Sequence, residues 1–258
     1  MPKSRDDYTV HYAQWHDTSA AHRKYMSNFY RSAFEQDLVD AATRLQKPLR
    51  ELKILDFGCG MGLLLSFCRD LGITNLRGFE IDANQAKIAR ELGLAIENSN
   101  DPSTWLSECI EKFDVILSID VIEHIEPGHA DVTLKAMRRL LEDSGTLIVT
   151  VPNANSSVAT RWRYIDLTHR TSFTEHSLRH LLISSGFSAV TVKESEIARF
   201  YGEKRSLFER VSEKLCCNIF RSFRRLELIG EFGWHEGAVI PITVNIKAVS
   251  WESRVAQN

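Results

Sequence analysis

The sequence predicts a doubly wound α/β fold with a mostly parallel sheet, and three observations carry that expectation. Short apolar runs of strand length alternate with helical patterns from Lys53 to Val192, an alternation that calls for crossover connections and parallel strands. The first run, Lys53 to Phe57, passes directly into Gly58-Cys59-Gly60-Met61-Gly62 and then into LLLSFCRDLG. Glycines at such a turn let the backbone bend tightly and come close to a ligand, and the helix behind them presents unpaired N–H groups. Finally, Glu80 closes the next apolar run, where an acidic side chain meets the ribose hydroxyls of a nucleoside lying over the first turn.

Taken in order, residues 1–50 read as an N-terminal helical cap rich in aromatics (Tyr8, Tyr12, Trp15, Tyr25, Phe29, Tyr30, Phe34), closed by Pro48. A core follows over 51–194. Its first strand holds Ile54, Leu55 and Phe57, and its first helix stops at Gly72. Leu76–Glu80 is the second strand, and Asp82-Ala-Asn-Gln85 is a helix start with Asp82 as cap. Leu94–Glu97 is a short third strand, and SNDPSTWL opens the next helix. Phe113–Ser118 and Gly145–Val151 are the fourth and fifth strands. They flank a helix over Pro127–Leu141 with Leu134, Met137 and Leu141 at core spacing. Pro152–Phe173 is a long polar connection, too long for an idle turn. A helix over Thr174–Gly186, a sixth strand over Ser188–Val192, an insertion over 195–238 and a final stretch over 239–258 complete the chain. The last stretch contains a seventh strand, Ile240–Ser250.

Composition narrows the class. With 258 residues, the chain is long enough to bury one core. A net charge of −2 gives no global attraction to nucleic acid. Five cysteines without a C-x-x-C pair suggest neither a disulfide framework nor a zinc site. No run is apolar enough to span a bilayer, and MPKSRDDYTV lacks the apolar core of a signal peptide. The expectation is a soluble, cytoplasmic protein.

KILDFGCGMG, followed by GFEID, FDVILSIDVIEHI and SGTLIVTVPN, resembles the class I S-adenosylmethionine-dependent methyltransferases. A hydride-transferring dinucleotide enzyme is disfavoured because the third glycine arrives one residue early for its fingerprint. The resemblance implies a Rossmann-like seven-stranded sheet whose last strand is antiparallel. It also implies a helical cap that closes over the cofactor, with Tyr12 or Trp15 as closing groups; plain packing is the alternative. The cofactor contacts it implies are Asp56, Gly58, Cys59, Gly60, Gly62, Glu80, Ile81, Ser118 and Ile119. Asn100 or Asp101 would hold the adenine amino group, although Asp101 before Pro102 is also a good helix cap.

Two clusters carry acceptor chemistry. Asp120-x-x-Glu123-His124 follows the fourth strand, and Asp166-Leu-Thr-His169 lies in the long connection. They resemble the metal site of small-RNA 2′-O-methyltransferases and ubiquinone-pathway O-methyltransferases. Carried over, Asp120, Glu123, His124 and His169 would hold Mg²⁺ or Mn²⁺, with Asp120 in place of the usual Glu. Alternatively His124 or His169 acts without metal, as base or substrate contact, or the cluster only shapes the pocket. The pattern PN…R-x-x-D-x-T-H…F-T also resembles bacterial methyltransferases that modify the sugars of surface polysaccharides. On that reading Arg161, Arg163, Tyr164 and Arg170 contact the acceptor.

In the insertion, Phe208, Val211, Leu215, Ile219, Phe223 and Leu226 share one helical face, opposite Arg210, Lys214, Arg221, Arg224 and Arg225. Such a helix packs on one side, with Cys216 and Cys217 buried beside the stripe, or it lies on an anionic membrane or acidic partner. The sequence therefore predicts an O-methyltransferase acting on a sugar hydroxyl of a glycan, glycolipid or nucleotide sugar, cytoplasmic or peripheral to the inner face of the membrane. A small-molecule or quinone-type O-methyltransferase is the enzymatic alternative. A non-catalytic cofactor-binding partner of a glycan-assembly complex, docking through 195–238, is the alternative of another class.

Overall fold

The computed structural model describes residues 20–195, 206, 208, 211–212, 214–223, 226 and 241–252. Tyr8, Tyr12 and Trp15 lie outside them. A helix, α1 (Ala20–Leu45), leads into the core. There β1 (Lys53–Phe57), α2 (Leu63–Asp70), β2 (Asn75–Glu80), α3 (Ala83–Glu91), β3 (Ile96–Asn98), α4 (Pro102–Glu108) and β4 (Phe113–Ile119) alternate. Then come α5 (Pro127–Leu140), β5 (Leu141–Pro152), α6 (Ala159–Ile165), α7 (Glu175–Ser184), β6 (Ala189–Glu194) and β7 (Asn245–Trp251). The long polar connection thus contains one short helix, α6.

The seven strands run in the order β3-β2-β1-β4-β5-β7-β6, parallel except for β7, which lies antiparallel between β5 and β6. After β3 the chain crosses to the far side of β1. The crevice between the C-terminal ends of β1 and β4 is therefore the topological switch point, where ligands of such sheets bind.

Alternation of side chains along the strands supplies a core on each face. On one face Leu55, Phe57, Phe79, Leu147, Val149 and Ile246 meet Leu134 and Met137 of α5 and Leu178 and Leu182 of α7. On the other, Ile54, Val115, Leu117 and Ile148 meet Phe34 and Leu38 of α1 and Leu64 and Phe67 of α2. A bulge between Phe113 and Val115 shifts the register with β5. The termini of the helices follow their sequence signals. Asp82 accepts from the Asn84 and Gln85 N–H groups, and Thr174 and Ser177 cap α7 reciprocally.

One polar contact crosses the second face. The Lys247 ammonium of β7, 4% exposed, pairs with the Asp37 carboxylate of α1 and donates to the Ala33 carbonyl. Lys193 of β6 reaches the same carboxylate from a half-exposed position at 3.0 Å. Removing Asp37 would take the paired carboxylate away from the buried ammonium. Asp37→Ala is therefore expected to cost about 3–5 kcal/mol in urea unfolding, and Lys193→Ala less than about 1 kcal/mol. Equal losses would show that burial adds nothing to the Lys247 pair.

Candidate active site

The turn after β1 is held by its backbone and by one carboxylate. The Gly58 and Cys59 N–H groups donate to the Phe79 carbonyl at 2.8 and 3.0 Å. Glu80, nearly buried, accepts from Gly60 N–H through Oε2 and from Asp82 N–H through Oε1, both at 2.8 Å. Gly58 and Gly62 have φ of 84° and 76°, a region that side-chain-bearing residues rarely enter. A Cβ at Gly58 would meet Val121 Cγ2 at 2.4 Å, and one at Gly62 would meet Leu94 Cδ1 at 2.4 Å. The glycines are thus required by backbone conformation and close packing against protein neighbours, and the demand for bare backbone read from the sequence is met by protein atoms at these two positions. Cys59 turns its side chain into a small apolar cluster with Leu65, Ala86 and Ile96, so only its backbone belongs to the turn.

Two acids meet beneath this turn. Asp56, buried at the end of β1, has its pKa raised to about 8 by burial and by the charge of Glu80. Burial raises that of Glu80 as well, opposed by its backbone donors. Tyr30 of α1 packs at a tilt beside Phe34 and Phe67, and burial, with the charges of Asp56 and Asp120 added, raises the pKa of its phenol. In the sequence Tyr30 stands out only as one aromatic of the N-terminal helical segment. A pair of buried acids facing one turn suits a cationic ligand, and a sulfonium cofactor carrying an ammonium group is one.

Across the crevice, β4 ends in Asp120, which adopts a left-handed φ of 55° of the kind that clusters at functional sites. Its Oδ1 accepts from Thr150 Oγ1 at 2.8 Å and Asn245 Nδ2 at 2.9 Å. A short 3₁₀ turn, Ile122–His124, follows. The loop after α6 straps onto it, because Arg170 and Thr171 N–H both donate to the Glu123 carbonyl, at 2.7 and 3.2 Å. The Arg163 guanidinium secures that loop by donating to the His169 and Arg170 carbonyls.

This strap assembles Glu123, His124 and His169, whose ligand atoms lie within 4.8 Å of one another. The imidazole rings pack edge to face at 4.7 Å. Nδ1 of His169 lies 2.9 Å from the Trp162 carbonyl, which can only accept, so Nδ1 carries the proton and Nε2 the lone pair. The Thr168 hydroxyl donates to Asp166 Oδ1 at 2.7 Å. It therefore accepts from His124 Nδ1 at 2.8 Å, which gives His124 the same tautomer. Among the described residues, neither oxygen of the fully buried Glu123 carboxyl has a hydrogen-bond partner. Its pKa is raised well above the usual range by burial, then by the charges of Asp120 and Asp166. An orphaned buried carboxyl beside two lone-pair nitrogens is a donor set that fits Mg²⁺ or Mn²⁺.

The structure brings together three of the four expected ligands. Asp120 stays outside the cluster, its oxygen engaged by β5 and β7. Asp166 and Thr168, which the sequence placed in the second cluster without a role of their own, orient His124. Asp101 caps α4 through Thr104, while Asn100 is exposed near the end of β3. Ser118 is buried with an unpartnered hydroxyl, Ile119 is half-buried, and Ile81 offers exposed apolar surface beside Glu80. Of the loop residues expected at the acceptor, Arg163 serves the loop itself and Arg170 pairs with Glu126 at 3.3 Å. Arg161 and Tyr164 are exposed.

The seven-stranded order, with the glycine turn and its carboxylate at the switch point, defines a Rossmann-like fold. A family model described as a methyltransferase domain matches residues 14–192, so the chain belongs to that family. It is 32% identical over 114 residues to a ubiquinone biosynthesis O-methyltransferase of Chelativorans sp., covering 43% of this chain and 44% of that protein. A protein of the same name from Cereibacter sphaeroides is 32% identical over 143 residues, 54% of this chain and 55% of that one. The chain spans about half the length of these relatives. A SAM dependent methyltransferase from Archaeoglobus fulgidus shares the fold, with a TM-score of 0.59 and 18% identity over 84% of this chain and 94% of that one. Neither curated relative carries the sugar-modifying description that the loop pattern suggested.

The raised Asp56 acid yields a signature of cofactor binding. In the unfolded chain this carboxyl ionises near 3.9, whereas in the fold it keeps its proton to about 8. Its contribution to stability is therefore full at low pH and is lost as pH rises through that window. A cationic cofactor favours the ionised form, so binding at pH 7 is expected to release a proton, measured by calorimetry in buffers of different ionisation enthalpy. Asp56→Asn should abolish that release. Unchanged release in this variant would assign the proton to another group.

Proposed function

We propose that the protein is an O-methyltransferase whose acceptor is a hydroxyl on an aromatic ring of the quinone-precursor type, and that the Glu123–His124–His169 cluster prepares that hydroxyl. The observation that carries this reading is the buried, unpartnered Glu123 carboxyl beside two imidazoles whose tautomers are fixed by Trp162 and by Thr168–Asp166. The name of the curated relatives supports the ring acceptor over the sugar acceptor. So does the rim: Tyr164 and Leu167 are 65% and 75% exposed, a greasier entrance than the arginines of the loop suggest, and two of those arginines are spent on protein contacts.

When bound, S-adenosylmethionine supplies an activated methyl group on a cationic sulfur. The chain's own tasks are then alignment, exclusion of water and handling of one proton. Glu80, Asp56 and the glycine turn hold the cofactor end of the crevice. Glu123, His124 and His169 would hold Mg²⁺ or Mn²⁺, which lowers the pKa of an oxygen bound to it. In the metal-free alternative the Nε2 lone pair of His169 accepts the acceptor's proton, and Trp162 keeps the ring in the tautomer that leaves this nitrogen basic. Thr168 and Asp166 do the same for His124 and stabilise the imidazolium should His124 charge.

Labelled cofactor offered with hydroxylated phenols and with sugar acceptors tests the acceptor class; label on sugars alone would overturn the ring reading, and no turnover on any acceptor would favour a cofactor-binding partner. EDTA should abolish activity, and Mg²⁺ or Mn²⁺ should restore it. His169→Ala should lower kcat by about 10²–10⁴-fold with cofactor affinity little changed. Glu123→Gln should keep or raise stability at pH 7, because an uncompensated acid is replaced by a neutral isostere, yet remove the response to metal. Full activity in EDTA would assign the proton to a histidine acting alone.

A further inference from the structure

The insertion helix faces the wrong way for a packed helix. The described residues between 208 and 226 are helical, and the apolar stripe read from the sequence lies outward. Phe208 and Phe223 are 81% and 68% exposed, and Val211, Leu215, Ile219, Phe220 and Leu226 are exposed as well. The half-buried positions include Cys217 and Arg221, on the opposite side of the helical wheel, and Cys216 is exposed. Thus neither the packed stripe nor the buried cysteine pair expected from the sequence is found. Arg221 anchors the polar side to Glu194, at 2.5 Å, and Glu194 also accepts from Ile242 N–H. Glu194 ends β6 opposite Ile246, next to Asn245, which bonds Asp120. The helix therefore leaves the same sheet edge that carries the candidate active site, where Tyr164, Ile165 and Leu167 expose a second apolar patch.

We infer that this outward stripe docks on the surface of an anionic lipid bilayer, setting the active-site edge toward the membrane. An apolar face about 28 Å long, at ~1.5 Å per residue, costs free energy in water and gains it in the headgroup–acyl boundary. Charge selects the bilayer over an apolar protein partner. Residues 204–226 carry seven basic side chains and two acidic ones, within a chain of net charge −2. The basic residues lie at both ends of the stripe in sequence, with Lys204 and Arg205 before Phe208 and Arg224 and Arg225 before Leu226. Basic flanks around an apolar face complement anionic headgroups. The inference does not rest on the acceptor class; a membrane-docked methyltransferase is compatible with a ring or a sugar as acceptor.

Flotation of the full chain with vesicles of equimolar phosphatidylglycerol and phosphatidylcholine, against phosphatidylcholine alone, tests it. The wild type should float with the anionic vesicles at low salt and much less at high salt. Ile219→Asp/Phe223→Asp should lose flotation while keeping calorimetric affinity for S-adenosylmethionine, which shows that the core is folded. Arg224→Ser/Arg225→Ser should weaken partitioning about 30-fold. No flotation of the wild type at low salt would overturn the inference, as would flotation untouched by the aspartates. A wild-type dimer in light scattering that the aspartates split, without flotation, would assign the stripe to a second copy of the chain.

Discussion

A single carboxylate sets the geometry on which the cofactor end depends. Glu80 spans from the end of β2 to the turn after β1, and its two oxygens each take one backbone N–H, Gly60 on one side and Asp82 on the other. Charged acceptors on backbone donors are among the stronger hydrogen bonds available to a fold. Because Asp82 in turn caps α3, the same acid connects the glycine turn, the second strand and the third helix in one chain of bonds. The turn therefore need not await ligand to acquire its shape, and the acidic residue that would meet ribose is held in place beforehand.

The other side of the crevice is built by the opposite strategy. Here the polar groups are brought together and partly left unsatisfied. The backbone of Glu123 is tied twice, by Arg170 and Thr171, while its carboxyl has no hydrogen-bond donor among the described residues. The imidazoles are oriented from behind, by a carbonyl and by a hydroxyl–carboxylate pair. A rigid frame around an unsatisfied acid stores unfavourable free energy that a bound cation or a proton relieves. Fixing the frame rather than the acid is what lets the site respond to its ligand.

Much of this was legible in the sequence, and the reasons differ by region. Strand–turn–helix order and the acid at Glu80 are local signals, so sheet, switch point and cofactor turn follow from them directly. The two halves of the histidine cluster were also visible as D-x-x-E-H and D-x-T-H, although periodicity says nothing of which acid turns inward. Asp120 turns away because β7, distant in sequence, supplies Asn245 as a partner. Arg163 and Arg170 were misleading for a related reason, since guanidinium donors near a site look alike whether they hold substrate or backbone. The insertion stripe was read correctly as a pattern, but pattern alone does not tell inward from outward. That depends on the Arg221–Glu194 contact.

The place of β7 in the sheet has a consequence for how the chain matures. Among the described residues β6 pairs with no strand but β7, and β5 has β7 as its partner on that side. During synthesis both strands emerge with open hydrogen-bonding edges and wait through the whole insertion before the filler arrives. Lys247 also brings the counter-charge for Asp37, so the first helix is not locked until the same moment. A ribosome that stalls inside the insertion therefore releases a nascent chain with two adhesive sheet edges and an exposed apolar helix, the kind of species that chaperones must hold.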